Sequence, residues 1–153
     1  MRIWRLVPRR HARFDGEGAR LFGGRWNRPG TAVIYLSATV SLAALEYFVH
    51  VEPDEAPEDL VVIPVDVPEG IAVPGIEVKA LPRNWRTYPA PEELAELGTA
   101  WALSLKSALL RIPSVIVPHE SNYALNPAHP DFRRIAVGMP EPFSLDPRLS
   151  KRR

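Results

Sequence analysis

The chain of 153 residues contains no cysteine, which excludes disulfide bonds and thiolate catalysis and suits a reducing cytoplasm. Net charge is also nearly absent, because 19 lysines and arginines stand against 18 aspartates and glutamates. A charge this close to zero produces no general attraction to nucleic acid or to a membrane surface. The sequence also lacks an apolar run of the roughly 20 residues that a bilayer-spanning helix requires. We therefore expect a cytoplasmic protein.

Proline, by contrast, is abundant, and most of the 17 prolines lie between short apolar runs. Because proline lacks the backbone N–H and clashes with the preceding helical turn, the middle of the chain is predicted to consist of strands and loops. The length allows one compact domain with a real core and leaves little room for a second. We therefore predict a single domain over residues 1–153.

The apolar patterns predict a mixed α+β order in which strands dominate. Strands are predicted at residues 2–7, 32–36, 60–67, 71–79, 114–117 and 134–137. A first helix is predicted to run to about His50 from a side-chain cap, for which the candidates are Ser37, Thr39 and Ser41. Its apolar stripe is expected to contain Leu42, Leu45 and Val49, with Glu46 on the same side. A second helical stretch covers residues 91–110, in which the Gly98-Thr99 pair is a candidate division.

Arg25 follows two glycines in the string Gly23-Gly24-Arg25-Trp26-Asn27. Bare glycine backbone lets a ligand approach closely. A guanidinium presents a planar fork that matches two phosphate oxygens. The arrangement indicates a phosphate-bearing ligand, and the alternative is an ordinary surface arginine in a flexible loop.

Tyr35 and Glu46 lie on the predicted strand and helix that follow. Tyr35 alternates with Ile34 and Leu36, so it either packs in the core or borders a cleft in which its ring can stack on a heterocycle. Glu46 has apolar neighbours, among which a carboxylate is costly to bury without a partner. The alternative for Glu46 is a boundary residue paired with a basic neighbour.

The later polar side chains carry a weaker signal. Ser114 and Ser121 lie in no nucleophile-elbow pattern and have no histidine at an activating spacing, so each is expected to donate a hydrogen bond rather than to attack. Asn122 and Asn126 are typical of turns, with an amide clamp on a ligand as their second use. The four histidines show no metal-ligand spacing, and no metal is predicted. Composition and spacing alone therefore indicate a phosphate- or nucleotide-binding α+β domain.

Several short sequence motifs indicate a particular family. They resemble the motifs of the RES domain family and occur in that family's order over about residues 2–138. The strings are GGRWNRPG at 23–30, VIYLS at 33–37, LAALE at 42–46, PSVIVP at 113–118 and NYALNPAHPDF at 122–132. The resemblance implies a mixed split β-sheet with flanking helices, similar to the ADP-ribosyltransferase toxins, with NAD as substrate in the cleft.

The resemblance also implies an activity and a partner. Known members are toxins of toxin–antitoxin pairs that deplete NAD, either by phosphorolysis with inorganic phosphate as co-substrate or by hydrolysis. Others are described as transferring ADP-ribose to protein. The implied partner is an Xre-type helix-turn-helix antitoxin that blocks the active site, and the chain itself is expected to bind neither nucleic acid nor membrane.

The family's named residues transfer to particular positions of this sequence. Its arginine corresponds to Arg25 and its glutamate to Glu46, which is implied to stabilise an oxocarbenium-like ribose or to hold a ribose hydroxyl. Its tyrosine corresponds to Tyr35, implied to stack on nicotinamide, while Arg25 clamps the pyrophosphate. Its serine corresponds to Ser114, an added donor, or alternatively to Ser121. The expected substrate-binding residues are Arg25, Tyr35, Ser121, Asn122 and Asn126.

Overall fold

The computed structural model describes residues 1–51, 58–146 and 148. The helices and strands follow in the order β1 (Arg2–Pro8), α1 (Glu17–Phe22), β2 (Ile34–Ser37), α2 (Val40–Phe48), β3 (Leu60–Asp66), α3 (Glu92–Ser104), β4 (Leu109–Pro113), β5 (Ser121–Leu125), β6 (Ala136–Val137) and β7 (Glu141–Pro142). Short 3-10 turns occupy Arg9–His11, Val78–Ala80 and Pro130–Arg134. None of the helices in the described ranges has the length and apolar character needed to cross a membrane.

The strands form one seven-stranded sheet in the order β4-β5-β2-β1-β3-β6, with β7 also paired to β3. The strand pairs are antiparallel, and a parallel bridge joins Gly75 to Arg111. Ser37, the last residue of β2, pairs with Asn122 near the start of β5. Pro113, the last residue of β4, pairs with Ser121. Consequently β2 and β4 end, and β5 begins, at the same edge of the sheet.

Both long helices pack on one face of this sheet. Alternation along the strands assigns Tyr35 and Ser37 to the same face, and Trp4 joins them because it pairs with Ser37. Over β1 and β3, α2 packs through an apolar cluster that includes Leu6, Ala43 and Val62. Over β4 and β5, α3 packs through a second cluster that includes Leu94, Ile112 and Ala124. The part of this face that lies between the two helices is therefore formed by β2 and the start of β5.

Helix α2 begins at a threonine cap, one of the three predicted. The Thr39 hydroxyl accepts the Leu42 N–H at 3.0 Å, which satisfies a backbone donor that the first turn leaves free. The predicted apolar stripe is wrong beyond Leu42, since Leu45 is 42% exposed and Val49 is 55% exposed. The helix instead packs on the sheet through Val40, Ala43, Ala44 and Tyr47. Small alanines let it lie close to the sheet and bring Glu46 to the margin of the contact.

Helix α3 is continuous through Gly98, so the predicted division there is wrong. Gly98 is instead a packing position, since a Cβ on it would lie 1.9 Å from the carbonyl oxygen of Trp26. The helix ends at Ser104, and the next residue, Leu105, adopts φ 49° without a glycine or proline to mark the stop. Residues 109 and 110, predicted to end the helix, begin β4 instead.

Several other predicted strands are also displaced. Residues 114–117, predicted as a strand, form the turn after β4, while residues 121–125 form β5 although they were predicted as a polar loop. Residues 71–79 contain an isolated bridge and part of a 3-10 turn rather than a strand. The strands predicted at 2–7, 32–36 and 60–67 are present as β1, β2 and β3 within three residues at each end.

Candidate active site

Glu46 lies where α2 meets the edge at which β4 ends and β5 begins. Its Oε1 accepts a hydrogen bond from the Ser114 hydroxyl at 2.8 Å and a second from the Asn122 side-chain amide at 2.5 Å. Its Oε2 accepts no hydrogen bond within the part of the chain that the structure describes. The carboxylate is thus fixed in one orientation by Oε1, and Oε2 remains available to a ligand.

Ser114 is the buried partner that holds Oε1 of Glu46. The residue is 0% exposed, and its hydroxyl oxygen accepts the Ile116 N–H at 3.2 Å and the Val117 N–H at 2.9 Å. Because these two bonds occupy the oxygen's lone pairs, the hydroxyl proton is directed at Glu46. The structure therefore places Ser114 as a partner of the carboxylate and not as a direct donor to a substrate.

Asn122 is held in turn by Ser37, its cross-strand neighbour. The Ser37 hydroxyl donates to Asn122 Oδ1 at 2.8 Å, which fixes the amide so that Nδ2 faces Glu46. Ser37 is 5% exposed and entered the sequence interpretation only as a possible helix cap. The contact of Ser37 with Asn122 can be predicted only from the register between β2 and β5, because 85 residues separate the two side chains.

Arg25 extends from the glycine-containing loop to the segment 85–87. Its Nη1 donates to the carbonyl oxygen of Trp85 at 2.8 Å and to that of Thr87 at 3.1 Å, and its Nη2 also donates to Thr87 at 3.1 Å. These bonds occupy the end of the guanidinium formed by Nη1 and Nη2, and also the side of Nη1 that faces away from Nη2. The other side, formed by Nε–H and the second Nη2–H, has no partner among the described residues. That side is a fork suited to two oxygens of one phosphate.

Arg25 and Glu46 are tied to neighbouring positions on one face of β2. The loop of Arg25 is bonded to the Tyr35 hydroxyl, and Asn122, which holds Glu46, is bonded to Ser37 two residues further along the strand. Burial lowers the pKa of the Arg25 guanidinium, and the negative charge of Glu46 opposes this by raising it. An arginine nevertheless stays protonated in proteins. A permanent cation and the free oxygen of Glu46 therefore belong to one site on the sheet face between α2 and α3.

Tyr35 uses its hydroxyl inside the protein. It donates to Asn27 Oδ1 at 2.7 Å and accepts the Trp26 N–H at 3.2 Å. Burial raises the pKa of the Tyr35 hydroxyl well above its ordinary value, so the hydroxyl keeps its proton. The Asn27 side-chain amide donates to the carbonyl oxygens of Ala19, Arg28 and Thr31. Tyr35 and Asn27 together fix the loop that carries Arg25.

Gly24 is required by this contact. A Cβ on Gly24 would lie 2.9 Å from the Tyr35 hydroxyl oxygen and 2.9 Å from Asn27 Oδ1, closer than a side chain can approach. Glycine at this position therefore lets the loop close over Tyr35, whereas the sequence suggested that it leaves room for a ligand. Asn27 is 1% exposed and was not singled out in the sequence, although it lies in the same string as Arg25.

Two predicted substrate-binding residues lie away from the carboxylate. Ser121 precedes Asn122 on β5, so alternation points its side chain to the opposite face of the sheet. Asn126 is about 13 Å from Asn122 along the strand direction, at roughly 3.3 Å per residue. Its Nδ2 donates to Ala102 and its Oδ1 accepts from Ala128. These bonds tie the strand end to α3, and a role of Asn126 in substrate binding stays a prediction.

A metal-binding cluster is also not formed, since the residues that the structure describes contain no group of three or more histidine, aspartate or glutamate side chains placed to hold an ion. The chemistry that these residues offer is thus a free carboxylate oxygen and a free guanidinium fork. Such a pair can stabilise positive charge on one part of a ligand and bind a phosphate on another part.

Comparison with known proteins supports one family over nearly the whole chain. A family model described as the RES domain matches residues 2–146. The "Toxin Res" of Yersinia enterocolitica is 38% identical over 152 residues, which cover 97% of this chain and 99% of the relative. The "Prs ADP-ribosylating toxin" of a Sphingobium strain is 37% identical over 144 residues, which cover 90% of this chain and 87% of the relative.

A solved structure supports the fold. The chain is similar to a protein in the crystal structure of the M. tuberculosis MbcT-MbcA toxin-antitoxin complex, with a TM-score of 0.73 and 18% identity. The similarity covers 97% of this chain and 86% of that one. The predicted class, an α+β sheet with flanking helices resembling the ADP-ribosyltransferase toxin fold, is confirmed.

Proposed function

The chain belongs to the RES domain family, and on that premise we propose that it is the toxin of a toxin–antitoxin pair and cleaves the nicotinamide–ribose bond of NAD by phosphorolysis. The observation that carries the proposal is that Glu46 and Arg25, tied to one face of β2, each keep an unbonded group among the described residues, Oε2 of Glu46 and the Nε and Nη2 side of Arg25. Cleavage of this bond develops positive charge on a sugar that is attached to a diphosphate. The free oxygen of Glu46 can stabilise the charge on the sugar, and the free fork of Arg25 can bind the diphosphate.

Glu46 acts on the sugar in this proposal. As the bond from the nicotinamide nitrogen to ribose C1″ breaks, its electron pair leaves with neutral nicotinamide, and the ribose becomes oxocarbenium-like. Oε2 stabilises this charge or holds a ribose hydroxyl. Ser114 and Asn122 keep Oε1 in place, so the carboxylate does not need to reorient during the reaction, which is the physical advantage of preorganisation.

Arg25 and Tyr35 act on the rest of the dinucleotide. Arg25 binds the diphosphate through Nε–H and Nη2–H and so holds the sugar at a fixed distance from Glu46. The half-buried ring of Tyr35 borders the nicotinamide, while its hydroxyl keeps the Arg25 loop in place. An oxygen of inorganic phosphate then bonds to C1″, which gives ADP-ribose-1″-phosphate and completes the balance of atoms and charge.

Two other acceptors give different functions at the same site. Water in place of phosphate makes the protein an NAD hydrolase. A nucleophilic side chain of another protein makes it an ADP-ribosyltransferase, and this second candidate is favoured by the similarity to the Sphingobium protein named as an ADP-ribosylating toxin. The bond that breaks and the role of Glu46 are the same in all three cases.

The proposed partner is an antitoxin of the Xre helix-turn-helix type that occludes this site. Support comes from the similarity to a protein solved within a toxin–antitoxin complex. NAD is a cytoplasmic metabolite in this scheme, so the toxin is proposed to act there.

Purified protein should be incubated with NAD, with and without inorganic phosphate, and the products identified by mass spectrometry. Phosphate-dependent loss of NAD that yields ADP-ribose-1″-phosphate is expected. Loss without phosphate would replace phosphorolysis by hydrolysis. Labelling of a lysate with ADP-ribose, without bulk loss of NAD, would replace it by protein modification.

A further inference from the structure

Arg86 lies between the two residues that hold Arg25. The carbonyl oxygens of Trp85 and Thr87 accept hydrogen bonds from Arg25, and the side chain of Arg86 leaves the same segment towards the turn after β4. There its Nε donates to the carbonyl oxygen of Val115 at 3.1 Å. Val115 follows Ser114, the buried partner of Glu46. Arg86 therefore connects the segment that supports Arg25 to the turn that supports the carboxylate.

The charged end of Arg86 remains available. The side chain is exposed, and only its Nε has a hydrogen-bond partner within the described ranges. The Nη1 and Nη2 groups together present two parallel N–H donors, the geometry that binds two oxygens of a phosphate. Because Nε is fixed on Val115, the direction of this end is restricted, and less conformational entropy is lost on binding than for a free surface arginine.

We propose that Arg86 is a second anion-binding residue of the active site and binds a phosphate group together with Arg25. This inference rests on the proposed function. The free fork of Arg25 matches two oxygens of a single phosphate, whereas the substrates of the proposed reaction carry three phosphate groups between them, two in NAD and one in the co-substrate. Arg86 supplies the second guanidinium, for either the other phosphate of the diphosphate or for inorganic phosphate.

Arg86→Gln tests the proposal against a matched control. Arg83→Gln removes the same charge three residues earlier, where the side chain is also exposed. Loss of a charge-assisted pair of hydrogen bonds is expected to raise the Michaelis constant for either NAD or inorganic phosphate about 10- to 100-fold, with a much smaller change in kcat. Arg86→Lys should recover part of this loss, since it keeps the charge but not the fork. Arg83→Gln should resemble wild type.

The arms of the experiment separate the two sources of phosphate. A raised constant for NAD alone assigns Arg86 to the diphosphate, and a raised constant for inorganic phosphate alone assigns it to the co-substrate. Calorimetric titrations with ADP-ribose and with inorganic phosphate measure binding without turnover. They therefore still test Arg86 if wild-type protein fails to consume NAD, a result that would refute the proposed function separately. Equal constants and equal binding for Arg86→Gln and Arg83→Gln would overturn the inference.

Discussion

Glu46→Gln removes the proposed catalytic charge while keeping the shape of the side chain. The glutamine amide oxygen can take the place of Oε1 and accept from Ser114 and Asn122, which now donate at 2.8 and 2.5 Å. The fold should therefore keep its stability. A full charge about 4 Å from a developing cation contributes about 4 kcal/mol at an effective dielectric constant of 20, which corresponds to a rate factor of about 1,000.

Only part of this interaction distinguishes the transition state from bound NAD. The nicotinamide ring of NAD is already cationic, so the reaction moves positive charge towards Glu46 and creates no new net charge. If about two thirds of the interaction is realised only in the transition state, kcat should fall about 100-fold, and KM should change little. Steady-state rates of nicotinamide release, measured beside thermal unfolding, check this expectation.

The control for this variant is Glu93→Gln, which removes an exposed carboxylate at the start of α3 and should keep full activity. A Glu46→Gln protein that turns over NAD at the wild-type rate would refute the catalytic role. If the variant melted early and yet turned over normally, Glu46 would have a purely structural role as the acceptor for Ser114 and Asn122.

The remaining predictions concern the loop of Arg25 and its packing. Arg25→Lys keeps the charge but loses the fork and should raise KM for NAD about tenfold or more, with wild-type KM as the refuting result. Tyr35→Phe leaves Asn27 Oδ1 without its donor, so it should lower the free energy of unfolding by about 1–3 kcal/mol and weaken NAD binding. Urea unfolding measures the first effect and calorimetry the second. Unchanged values would mean that the bond at 2.7 Å does not hold the loop. Gly98→Ala places a Cβ 1.9 Å from the carbonyl oxygen of the residue after Arg25 and should cost about 3 kcal/mol or more, whereas Gly18→Ala, with open space around it, should stabilise α1 by about 0.5–1 kcal/mol.

Short motifs in the sequence were enough to single out several residues of the candidate site. Arg25 and Glu46 were identified from short motifs, and the structure brings both to one face of the sheet with Ser114. The strands β1, β2 and β3 were also predicted, and the cap of α2 was among three candidates, because alternating apolar residues and capping side chains are local signals.

Non-local packing decides what the sequence did not reveal. The support of Glu46 depends on the pairing of β2 with β5, and the polar start of β5 gives no apolar alternation from which to predict a strand. Ser37 and Asn122 become neighbours only through that register. The end of α3 has a similar cause, since Leu105 adopts a left-handed conformation that no glycine marks. The bond of Tyr35 to Asn27 could not be predicted, because it depends on how the loop of Arg25 folds back onto β2.

The most direct test of the central claim is a crystal structure of the Glu46→Gln protein with NAD bound. We predict that the diphosphate lies on the Nε and Nη2 side of Arg25 and that the nicotinamide ribose lies against the side chain at position 46. NAD bound elsewhere, for example in the apolar groove lined by Val73, Trp101 and Leu110, with Arg25 still free of phosphate, would contradict the claim.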